Sequence, residues 1–273
     1  MLVLVPALLA ASPARAAADQ EGAPQVAAAQ PEAPDPAETP IPVPPLTPTG
    51  FLVAWKPMLL TVRVDNGSGA TFGSDKLQAL RFLGRYTFAL SKRAPFVGRV
   101  ELEGGEFRTD AQNGTFGSNG YDFTLRGLAG AATRISPGFT VLASGGLITR
   151  YQHGYASGGA PTVGLVGVVS NIELEFMLWP YITLSLFAEG AITPYSYNAQ
   201  VNLGRLSDAS ELRGRVQLSF DLSPNTAIDV GYDFTRWYSG FSQSTITGNL
   251  NPDRAFFVEQ LESAVTVGLR LRR

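Results

Sequence analysis

Residues 213–222 read RGRVQLSFDL. Gly214, Val216, Leu218, Phe220 and Leu222 fall on one side, and Arg213, Arg215, Gln217, Ser219 and Asp221 on the other. A period of two is the mark of a β-strand with one apolar and one polar face. The alternation recurs on both sides of this stretch. Upstream, Phe82, Gly84, Tyr86, Phe88 and Leu90 alternate with Arg81, Arg85, Thr87 and Ser91, and Ile172, Leu174 and Phe176 with Asn171, Glu173 and Glu175. Downstream, Ile228, Val230, Tyr232 and Phe234 alternate with Asp229, Asp233 and Thr235. Val265, Val267, Leu269 and Leu271 alternate with Thr266, Gly268, Arg270 and Arg272.

About ten such runs are expected, near 55–65, 77–91, 96–106, 121–134, 139–152, 163–178, 181–193, 211–222, 226–237 and 256–272. Eight and twelve are the neighbouring counts. Soluble strands average roughly 5–6 residues, whereas a tilted bilayer-spanning strand needs about 9–11. The connections alternate too. Short turns fall at Ser91–Pro95, Ser136–Gly138, Trp179–Tyr181 and Ser223–Asn225, each holding a proline. Longer loops rich in Gly, Asn and Ser fall near 66–76, 107–120, 153–162, 194–210 and 238–255. The expected fold is all-β: a closed antiparallel up-and-down transmembrane barrel over residues 51–273.

Composition agrees. Of 273 residues only 16% are charged, the net charge is −2, there is no cysteine, and there is one histidine. Disulfides, thiol chemistry and multi-histidine metal centres are thereby excluded, and nothing calls for a nucleic-acid partner. No cofactor or metal is expected. Residues 1–17 carry a short apolar stretch and a small-residue site at Ala14–Ala16, the pattern of a signal peptide. Eleven of the 19 prolines fall in residues 1–50. Residues 18–50 therefore read as a disordered Ala/Pro-rich periplasmic linker, a tether that could meet a periplasmic or cell-wall partner.

A membrane barrel turns its apolar face to lipid and its polar face inward. On that rule the lumen holds Arg63, Arg81, Arg85, Arg99, Arg126, Arg134, Arg150, Arg213, Arg215, Arg270 and Arg272. Facing them are Glu101, Glu103, Asp122, Glu173, Glu175, Glu189, Glu211, Asp221, Asp229, Asp233 and Glu262. Folding about the short turns sets Arg85 opposite Glu101 and Arg215 diagonal to Asp233. Arginine suits bidentate pairing with carboxylates, so a filled, charge-paired lumen is expected. Trp55, Phe96, Tyr121, Phe139, Tyr151, Trp179, Tyr181, Trp237 and Phe256 fall near strand ends, where an interfacial aromatic girdle belongs.

In strand length, turn rhythm and signal peptide the chain resembles Gram-negative outer-membrane β-barrel proteins. The resemblance implies an outer-membrane location with the N-terminus in the periplasm, contact with outer-membrane lipid and lipopolysaccharide, and recognition by the barrel-assembly machinery. The terminal Val267–Arg273 looks like that machinery's signal, although it ends in Arg273 where the class usually has an aromatic residue. Two roles stay open: a structural or loop-borne interaction protein, and a narrow passive pore for small polar solutes. A lipid-modifying barrel enzyme comes third. His153 is the sole histidine, and Tyr155 stands two residues on, where the barrel lipase families have serine. No aspartate adjoins it as in the barrel proteases, so no catalytic residue is assigned.

Overall fold

The structure, a computed structural model, describes residues 49–65, 71–78, 80–90, 95–109, 118–154, 162–197, 205–242 and 256–273. The expected signal peptide and all but the last two residues of the linker lie outside the described residues. Twelve strands form one antiparallel sheet: β1 (Gly50–Trp55), β2 (Met58–Asp65), β3 (Thr71–Gln78), β4 (Arg81–Ala89), β5 (Phe96–Thr109) and β6 (Ser118–Ser136). Then follow β7 (Phe139–Gly154), β8 (Val163–Trp179), β9 (Ile182–Tyr197), β10 (Arg205–Ser223), β11 (Thr226–Ser242) and β12 (Phe256–Arg272).

Twelve segments make ten staves. Lys56 and Pro57 divide β1 from β2, yet both segments pair with β12. Proline has no N–H to give the ladder. The ladder continues around it through Lys56 N–H to the Arg81 carbonyl (2.9 Å) and Val265 N–H to the Pro57 carbonyl (3.1 Å). Leu52, Ala54, Lys56, Met58 and Leu60 all point inward across this break. The break between β3 and β4 differs, because Gln78 and Arg81 are both buried, so the alternation skips a residue as at a β-bulge. Opposite it, Gly105 has φ of +158°, and a Cβ there would sit 2.1 Å from the Leu80 carbonyl oxygen. Only glycine lets β5 come so close.

The ladder is closed. β12 pairs with β11 on one side and with β1 and β2 on the other. Closure through β12 joins the first and last staves, so neither is left as a free edge along the length of β1 and β2. The first and last strands of the barrel meet at the short-turn end: Gly50 faces Arg272, and Arg273 N–H bonds the Thr49 carbonyl (2.8 Å). Tight turns at 137–138, 180–181 and 224–225 match the proline positions. The strands run further into the loop regions than the alternation implied, with β9 reaching Tyr197 and β10 starting at Arg205.

The outer wall carries Phe51, Val53, Val100, Leu102, Leu147, Val168, Leu212, Val216, Val267 and Leu269, all exposed. Exposed apolar side chains ring the whole barrel, far beyond the patch size that water tolerates. The interior is the reverse: most of its buried long side chains are polar or charged. A bilayer accepts such a structure because a closed ladder pairs the backbone polar groups of its staves with one another.

Candidate functional site: the closed lumen

The inward alternation of ten staves concentrates long polar side chains in a narrow space. Near the turn end, Arg270 donates to Asp229 (2.9 Å) and Arg272 pairs with Asp221 (2.7 Å). Higher up, Glu101 accepts from Arg85 (2.9 Å) and Arg213 (2.5 Å). Lys56 donates to Glu103 (2.5 Å) and lies 3.3 Å from Asp233, which also accepts from Thr266 (3.0 Å). Arg99 donates to Glu173 (2.7 Å). Arg126 donates to Glu189 (2.8 Å) and to Glu211. Toward the loop end, Arg81 donates to Asp122 (2.5 Å), and Arg150 to Glu262 (2.7 Å) and Gln260 (2.9 Å).

Several of these bonds cross the barrel. Counting staves, β5 and β10 stand five apart in a ring of ten, so Arg213 and Glu101 join opposite walls. Arg150 of β7 and Glu262 of β12 do the same. Such bonds run through the axis of the barrel. The groups are withdrawn from water as well: Arg213 is 1% exposed, Glu101 3% and Arg126 2%.

Above the charges is an apolar layer. Val163, Leu165, Ala209, Trp237, Phe241 and Val258 pack together at the loop end, with Val62 and Leu206 against them. Trp237 therefore departs from its expected place in the girdle. It shares the inward parity of Asp233 and Thr235, and the Arg150 guanidinium lies 4.8 Å from its ring. The lumen is thus not polar throughout, since inward positions near the loop end carry Val, Leu, Phe and Trp.

The other expected lumen residues fall as follows. Arg215 sits directly opposite Asp233 rather than diagonal to it, at 3.8 Å, with its guanidinium 4.6 Å from the Phe187 ring. Glu175 is half-buried and joins no ion pair among the described residues. It faces a cavity of about 40 Å³ at the turn end, beside Glu173, Arg99 and Arg270. Arg63 is corrected. It lies on the outer wall, its side chain 55% exposed, because the inward residues of β2 are Met58, Leu60 and Val62. Lys56 is an interior residue that the alternation missed, since it precedes a proline and looked like a strand end.

The aromatic residues form two groups. Phe96, Phe139, Trp179 and Tyr181 stand near the turn end, where Phe139 stacks on Phe176 (4.7 Å). Tyr121 and Tyr151 stand near the loop end with His153, whose ring is 5.1 Å from that of Tyr121. Trp55 is exposed but lies midway along the wall, because its stave begins at Gly50 rather than at Trp55. The Phe256 side chain lies outside the described residues.

A closed antiparallel ladder, an apolar outer wall and an ion-paired interior define a transmembrane β-barrel of the Gram-negative outer-membrane type. No family model and no curated protein matches the chain. Solved structures of outer-membrane proteins are similar to it. The outer membrane protease OmpT from Escherichia coli is similar at 10% identity, covering 83% of this chain and 98% of that one, with a TM-score of 0.48. An outer membrane channel from Pseudomonas putida F1 is similar at 10% identity, covering 83% and 98%, with a TM-score of 0.40. The translocator domain of the autotransporter NalP from Neisseria meningitidis is similar at 12% identity, covering 83% and 90%, with a TM-score of 0.41.

Proposed function

We propose that this barrel is a non-conducting outer-membrane scaffold that acts through its surface loops as a structural or interaction protein. The short-turn end and both termini face the periplasm, and the long loops face outward. One observation carries the reading: ion pairs such as Arg213–Glu101 and Arg150–Glu262 join opposite staves through the barrel axis. The apolar layer around Trp237 and Phe241 adds a second barrier, since an apolar constriction excludes water and ions. Exposed loops on a rigid frame are where binding is expected. His153 sits among Tyr121, Tyr151 and Thr162 on the outer side of the wall, an arrangement that supports a packing role over acid–base chemistry.

Planar-bilayer recording tests the proposal. The purified full chain is expected to be silent, and Arg213→Ala with Trp237→Ala to give small steps. Large stable steps from the unaltered chain would make it a pore.

A further inference from the structure

The turn-end cavity takes its walls from well-separated staves. Arg85 and Thr87 of β4, Arg99 of β5 and Arg270 of β12 line it together with Glu173 and Glu175 of β8. Its volume of about 40 Å³ leaves room for about three water-sized groups, at roughly 10–15 Å³ each. Pairing accounts for most of the charge around it. Arg85 meets Glu101 (2.9 Å), Arg99 meets Glu173 (2.7 Å) and Arg270 meets Asp229 (2.9 Å). Just outside, Arg272 meets Asp221 (2.7 Å), and Arg134 stands two staves from Glu175, with Thr140 between them in the register.

Two features of the lining are left over. The first is the Glu175 carboxylate, which joins no ion pair among the described residues. The second is on Arg99. Only its Nη2 donates to Glu173, while Nε and Nη1 have no hydrogen-bond partner among the described residues. That side chain is 9% exposed, so its spare donors are withdrawn from bulk water. Buried donors and carboxylates without partners are costly. No hydrogen bond or ion pair joins Arg99 to Glu175, although both line the same space. A lone anion there would meet Glu173 and the unmatched Glu175. A lone cation would meet Arg85, Arg99 and Arg270. A molecule with one charge of each sign sets both against their opposites, and charge-assisted bonds are the strong ones. Glu175 is half-buried whereas Glu173 and Arg99 are buried, so Glu175 marks the way in.

We propose that the turn-end cavity binds a small zwitterion, the ammonium–carboxylate head of a compact amino acid. The carboxylate accepts from the spare Arg99 donors, and the ammonium lies against Glu175. The space admits that head and little more, so larger side chains are excluded. The site lies at the opposite end of the barrel from the long loops and does not depend on their role.

The test uses the full mature chain in detergent with glycine, acetate and methylamine as separate probes. Binding is read by saturation-transfer NMR. Glycine is expected to give a saturable signal, with acetate and methylamine each at least fivefold weaker. Glu175→Gln removes the charge that meets the ammonium, and Arg99→Lys keeps a cation beside Glu173 while removing the spare donors. Each is expected to weaken glycine binding at least fivefold. Thr87→Leu, which fills the cavity from its wall, is expected to abolish it. The heat-modifiable band on gels reports whether each variant still folds. Where a variant loses that band, the comparison of the three probes on the unaltered chain decides. Absence of a saturable glycine signal would mean that the cavity holds water alone and would overturn the site. Undiminished glycine binding by folded Glu175→Gln and Thr87→Leu would place the ligand elsewhere. Acetate binding as tightly as glycine would make this an anion site, and methylamine doing so a cation site. Either result would overturn the zwitterion.

Discussion

Arg213 and Glu101 carry the sharpest expectation at the level of single residues. Each is buried and each holds several partners, so removing one strands a charge. Losing one member of a buried pair costs about 3–5 kcal/mol, whereas replacing both with apolar groups costs far less. Arg213→Met should lower the unfolding temperature in detergent strongly. Adding Glu101→Leu to it should cost less than Glu101→Leu costs alone, because one of the charges that Glu101 holds is already gone, although Arg85 still loses its carboxylate. Strictly additive losses would show that the pair is not coupled. Part of this network was legible in the sequence. Arg85 faces Glu101 because a short turn fixes the register between β4 and β5. Arg213–Glu101 was not legible, because 112 residues separate the two and no turn sets a register across a lumen. Trp237 was legible and misplaced: its parity with Asp233 pointed inward, but its chemistry and its nearness to a strand end suggested an interfacial anchor. Lys56 gave no comparable signal, because its inward neighbours Leu52, Ala54, Met58 and Leu60 are apolar and leave no polar face to read around it.

At the level of elements, alternation and turn spacing identified ten staves, since an apolar-out, polar-in wall leaves a period-two trace along most of them. They did not reveal that two staves are broken. Pro57 keeps the parity of its stave, whereas the bulge between β3 and β4 shifts it by one, and only the partner strand shows where. Gly105 is that partner. Gly105→Val should impair folding into detergent, seen as loss of the heat-modifiable band on gels, because a side chain would strike the Leu80 carbonyl. Gly127→Val is the matched control. A Cβ there meets nothing within 4 Å, so its band should persist. Equal behaviour of the two variants would remove the bulge as a folding constraint.

For the molecule as a whole, closure makes the barrel self-sufficient. β12 finds its second neighbour in β1 and β2, and the last residue, Arg273, bonds Thr49. A chain starting at Thr49 behind a fresh signal peptide should therefore insert and resist heat as the full chain does. If it fails where the full chain succeeds, residues before Thr49 contribute to the barrel.

The bonds across the lumen also bear on how the molecule comes together in time. Arg213 and Glu101, like Arg150 and Glu262, are 112 residues apart. Neither pair can form while the sheet is still open, because its partners then sit five staves apart on a flat or curling ribbon. Until the last seam is made, these charges stay wet or unmatched, and the stabilisation they offer is unavailable. Contacts of such long sequence separation slow assembly, since chain entropy must be lost before they contribute. The same bonds must all give way before the seam can reopen. The lumen network thus works as a latch that engages only at the end, making the finished barrel slow to form and slower to leave.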